Sequence, residues 1–73
     1  MQRTLANQVV NKSAEIVSIE NSEISAKLLE FGVIPGAMVI VLSKAPFGGP
    51  LYISLGDSLI VLRRQEAALI FVK

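Results

Sequence analysis

The sequence predicts a mainly β domain, a small five-stranded barrel with one short helix and one helical turn, on three observations. From residue 14 onward, short β-rich runs recur at close, turn-punctuated spacing, which suits a small barrel or sandwich. One stretch, Ile24 to Phe31, instead carries its apolar residues at helical spacing. At 73 residues without a cysteine, the chain has room for a single domain, 1–73, held by apolar packing and not by disulfides.

The elements follow in order. The first dozen residues show no sustained period, and Asn11-Lys12-Ser13 reads as a turn. Ala14 to Glu20 is β-branched and partly two-sided, as a strand in a barrel wall would be. Asn21-Ser22 ends it. Either residue can accept from the free N–H groups of a helix start, and Glu23 places a negative charge against the positive end of the helix dipole. In that helix Ile24, Leu28 and Phe31 share one face, fit to cap a barrel opening, and Gly32 stops it in a left-handed conformation. Ile34-Pro35-Gly36 turns the chain into the longest strand, Ala37 to Lys44. Ala45 to Pro50 is dense in breakers and forms an exposed hairpin tip. Leu51 to Leu55 follows, with Leu51, Ile53 and Leu55 on one face. Gly56-Asp57 is a two-residue hairpin turn into Ser58 to Arg63; Gln65 to Ala68 makes a helical turn, and Leu69 to Val72 closes the chain as a strand.

Just over half of the residues are apolar, more than so small a domain can hide from water, so some apolar surface is expected to meet a partner. The formal charge is +1 with both signs scattered, which favours neither nucleic acid nor an anionic membrane. No apolar run exceeds the six residues of Ala37 to Leu42, far short of the roughly 20 residues a bilayer requires. Met1 to Gln8 carries a base but no apolar stretch of signal-peptide length, and a disulfide-free chain suits a reducing compartment; the expected location is the cytoplasm.

Catalysis needs a placed acid, base, nucleophile or metal, and this chain has no histidine, no cysteine and one aspartate. We therefore expect no enzyme, no catalytic residues and no bound cofactor. The glycines read as turn geometry, and Ser22 and Ser25 as helix-start residues without a base beside them. Only carboxylates remain as metal ligands, and Glu20, Glu23 and Glu30 read as solvated helix-flanking acids, so no metal site is expected. Arg63-Arg64 reads as an ordinary rim, since two isolated bases supply little of the ion-release energy of nucleic-acid binding.

Three residues are candidates for partner binding. Phe47, between Pro46 and Gly48-Gly49 at the hairpin tip, has little strand around it to cover it; the alternative is a tip folded back over the barrel end. Tyr52 points away from the Leu51, Ile53, Leu55 face; the alternative is a two-sided barrel strand that buries its ring. Lys27 lies beside the helix's apolar stripe, either to pair with a partner or to lie over Leu28 and Ile24. Phe31 and Phe71 read as core.

Leu28 to Gly36, Leu-Leu-Glu-Phe-Gly-Val-Ile-Pro-Gly, resembles the helix-then-Pro-Gly signature of FeoA domains. Pro46 to Leu51 resembles that family's hairpin, and Leu59 to Arg63 followed by Glu66-Ala67 its closing segment. Each motif is common turn chemistry, and their order and spacing carry the likeness. Lys27 stands where an arginine is usual and Phe31 where leucine is. The resemblance implies an SH3-like barrel, cytosolic, accessory to ferrous iron uptake and acting with a membrane permease that carries a GTPase domain. On that reading the chain is peripheral to the membrane through its partner only, and any iron acts elsewhere. A second reading is a regulatory SH3-like module like the C-terminal domain of metal-dependent repressors. A third, a binder of Pro-rich peptides, is disfavoured because the four aromatics are spread along the chain. Self-association through an edge strand such as Leu69 to Val72 is a further expectation.

Overall fold

In a computed structural model, which describes residues 3–73, six strands, β1 (Arg3–Thr4), β2 (Ser13–Ile19), β3 (Met38–Lys44), β4 (Leu51–Leu55), β5 (Ser58–Leu62) and β6 (Ile70–Val72), form one antiparallel sheet in the order β1-β6-β2-β3-β4-β5. Its centre is β2 (Ser13–Ile19) beside β3 (Met38–Lys44), two strands whose burial patterns are identical. Ala14 and Ile16 on β2, and Val39 and Val41 on β3, alternate into the core as a half-buried strand requires. Each strand then carries one extra residue. The register of β2 against β6 shifts between Ile16 and Ser18, and that of β3 against β4 shifts between Val41 and Ser43. These bulges push Val17 and Leu42 outward and add local twist, which is why Ala14 to Glu20 reads as partly two-sided in sequence and Ala37 to Leu42 as an unbroken apolar run.

Beyond β3 the chain runs as a hairpin. Strand β4 (Leu51–Leu55) buries Leu51 and Ile53, and β5 (Ser58–Leu62) returns after Gly56-Asp57 with Leu55 opposite Ser58. Gly56 has φ 59° and Asp57 is not left-handed, the φ signs of a type II′ turn. A four-residue helix, α2 (Arg64–Ala67), buries Ala67 and leads to β6 (Ile70–Val72), whose Ile70 and Val72 close the core.

The eight-residue helix α1 (Ser22–Leu29) is defined at both ends. The Asn21 Oδ1 accepts from the N–H groups of Glu23 and Ile24 at 3.0 and 3.2 Å. The Ser22 side chain lies outside the described structure, as do Met1 and Gln2 at the start of the segment read for a signal peptide. At the other end the Val33 N–H reaches the Leu28 carbonyl at 3.1 Å and the Gly32 N–H reaches that of Leu29 at 3.0 Å. With Gly32 at φ 86°, this is a Schellman ending, and Val33 and Leu28 pack together in the core as that motif favours.

The sequence reading is corrected at four places. Six strands replace five, because Arg3–Thr4 forms β1 against β6 and a 3-10 turn over Leu5–Asn7 buries Leu5 completely. A single apolar residue on one 3-10 turn leaves no period to detect. The sheet is not closed: β1 and β5 are its two ends and do not pair, and helical segments meet there instead, α2 against the 3-10 turn. Phe31 is 53% exposed and not core, because α1 ends before it, and Val33 on the next turn takes the buried place. Finally, β6 lies between β1 and β2, so Leu69 to Val72 offers no free edge for self-association. Phe71, opposite Thr4 and Ser18, is half-buried.

Candidate docking surface

The β3–β4 connection is built around Phe47. The Ala45 N–H donates to the Pro50 carbonyl at 2.9 Å, and inside that ring the Gly49 N–H donates to the Pro46 carbonyl at 3.2 Å. The two central residues of this inner turn, Phe47 and Gly48, have φ of 61° and 72°. Both signs are those of a type I′ turn, where Asn-Gly is the favoured pair. Glycine is needed one residue later for a different reason, since a Cβ on Gly49 would lie 2.8 Å from the Cβ of Ala45. Phe47 thus holds a left-handed backbone that costs a β-carbon residue roughly 1–2 kcal/mol. Its ring, at 103% relative exposure, recovers nothing from the core and does not fold back over it. A strained backbone that presents an aromatic to water is a pattern associated with binding sites.

Tyr52 stands on the outer face of β4, opposite Ser43 on β3 and Val61 on β5, and is 38% exposed. Val61 and Leu59, which faces Ser54 on the same side, are 54% and 66% exposed, so β4 and β5 together carry an uncovered apolar strip. Sequence reasoning had singled out Tyr52 but not these two neighbours. The signal was available in the alternation of Ser58 to Leu62, had Ile60 and Leu62 been assigned to the core face.

Lys27 projects from α1 with its Nζ 3.9 Å from the Glu66 Oε2 on α2; the Lys27 side chain is 64% exposed and that of Glu66 is 17% exposed. The other Glu66 oxygen accepts from the Arg63 N–H at 2.9 Å, so one carboxylate both caps α2 and meets the lysine. A pair this exposed on one side contributes about 1 kcal/mol at most. Lys27 and Glu66 rim a cleft of about 280 Å³ between α1 and β5, floored by Leu28 and Leu62 and bordered by Phe31 and Val61. Lys27 and the Tyr52 strip are thus brought to the two sides of β5, whereas Phe47 stands apart at the hairpin tip.

A second cleft, about 350 Å³ and almost wholly apolar, opens between α1 and the segment after it, lined by Ile19, Ala26, Leu29, Val33, Ile34 and Pro35. Sequence reasoning missed it, having read Ile34-Pro35 only as turn chemistry. Among the described residues no three or more His, Cys, Asp or Glu gather as a metal site would require, and Glu20, Glu23 and Glu30 are not brought together. No helix among them is long and apolar enough to cross a membrane.

The family model of the FeoA domain matches residues 3–73. The crystal structure of an iron uptake regulatory protein, FeoA, superposes with a TM-score of 0.88 at 27% identity, covering 100% of this chain and 97% of that one. The FeoA of Stenotrophomonas maltophilia in complex with zinc superposes at 0.84 with 30% identity, over 97% of this chain and 89% of that one. That protein is described as a prokaryotic SH3 domain protein and a suggested ferrous iron transport activating factor. A manganese-dependent transcriptional repressor shares the fold at a TM-score of 0.86, but at 16% identity, over 97% of this chain and 40% of that one. No curated protein sequence matches the chain.

Proposed function

Because the chain belongs to the FeoA domain family, we propose that it is a non-enzymatic accessory protein of ferrous iron uptake. It acts in the cytoplasm by docking on the GTPase-bearing permease, and it meets the membrane through that partner only. The observation that carries the docking role is Phe47, a fully exposed aromatic held at φ 61° where asparagine or glycine would sit without strain. Tyr52 and Lys27 are the further contacts, Tyr52 with the apolar strip beside it and Lys27 as a charged rim to the cleft between α1 and β5.

The repressor-like module is a weaker reading, since at 16% identity that likeness concerns the fold alone. A direct test is capture of the permease by the purified chain, tried with the isolated cytosolic GTPase domain and with the full permease in detergent. Retention of either supports docking, and failure of both to bind at concentrations well above micromolar sinks it.

A further inference from the structure

One end of the sheet is β5, paired with β4 alone. Its five residues, Ser-Leu-Ile-Val-Leu, include no charge, proline or glycine, so it lacks the devices by which edge strands usually avoid pairing. The two-residue turn sets Leu55 against Ser58, and an antiparallel ladder alternates from there. Ser58, Ile60 and Leu62 therefore bond β4, while the N–H and C=O groups of Leu59 and Val61 point away from the sheet. Neither side chain covers them, Leu59 and Val61 being among the more exposed apolar residues of the molecule.

We propose that β5 is the interface of a two-fold dimer, in which the β5 strands of two copies pair antiparallel with Ile60 on the axis. In this register Leu59 faces Val61 of the second copy, and Val61 faces its Leu59. All of these residues have outward backbone groups, so both pairs exchange their two hydrogen bonds, and a shift by one residue would set free groups against groups already bonded to β4. The charges flanking the strand select the same occupant. Asp57 precedes β5 and Arg63 follows it, both exposed, and pairing about Ile60 sets each Asp57 against the other copy's Arg63. A parallel arrangement would set like charges together. The contact is also self-complementary in apolar character, since Leu59 and Val61 meet on the outer face beside Tyr52, while Phe31 borders the same edge across the cleft. Joining the two β5 edges makes one continuous sheet across the dimer.

An edge contact is small, so the dimer is weak, with a Kd of roughly micromolar or above. Sedimentation equilibrium over a protein concentration series is expected to give a reversible monomer–dimer transition. Val61→Pro removes one outward N–H per copy and spares the β4 ladder, and should weaken association roughly thirtyfold. Asp57→Arg, which sets like charges together at both ends, should weaken it by about tenfold or more, and adding Arg63→Asp to it should restore the wild-type constant. The charge pair decides the matter even where the proline variant does not fold. A chain that stays monomeric up to millimolar, or a dimer indifferent to these changes, overturns the proposal, and neither result bears on permease capture.

Discussion

Phe47 and Asn21 share a left-handed backbone, with φ of 61° and 79°, but they relate to stability in opposite ways. Asn21 tolerates that conformation and turns its side chain to use, capping two N–H groups of α1. Asn21→Ala should lower stability by about 1–2 kcal/mol in urea unfolding, through the lost cap and a backbone that alanine adopts with strain. Phe47 makes no such local bond, so Phe47→Asn should raise stability by about 0.5–1 kcal/mol while weakening any contact made through the ring. A substitution that stabilises the fold and harms binding separates a docking residue from a structural one. The sequence placed Phe47 at an exposed tip because Pro46 and Gly48-Gly49 surround it, but the sign of its φ depends on which residues of the six-residue loop form the inner turn, and composition does not decide that.

At the scale of elements, the joint between α1 and β3 is where local signal and packing agree. Gly32 stops the helix as expected, and the Schellman bonds fold Val33 back onto Leu28 in the core. Leu28→Ala should therefore cost about 2–5 kcal/mol by thermal or urea unfolding, and Phe31→Ala, three residues on, less than about 1 kcal/mol. That contrast checks the correction made to the helical face, for a Phe31 packed in the core would cost at least as much as Leu28. Strands β3 and β4 and the turn into β5 were legible because Gly36, Pro46, Pro50 and Gly56-Asp57 stand at their ends. The N-terminal strand was not. Two residues of strand and one buried leucine carry no period, and β1 and the 3-10 turn are held by distant partners, β6 along one edge and the Lys44 Nζ donating to the Ala6 carbonyl at 3.1 Å. The bulges were equally hidden, because an extra residue in a β-branched run looks like one more strand residue.

For the whole molecule, the open sheet has two consequences. Its interior strand β6 is committed on both sides, so the edges of the sheet are β1 and β5, and its apolar surface includes a hairpin tip, an outer strip and two clefts beside α1. The candidate site was legible only in part for this reason. Exposed aromatics announce themselves between turn residues, as Phe47 does, whereas a surface assembled from α1 and β5, distant in sequence, depends on how helix and sheet pack. The docking role itself is tested most directly by titrating the permease's cytosolic GTPase domain with the wild-type chain and with Phe47→Asn, each verified as folded. Docking through the tip predicts a loss of roughly thirtyfold or more in affinity for the variant despite its higher stability. Equal affinity for the two chains would contradict it.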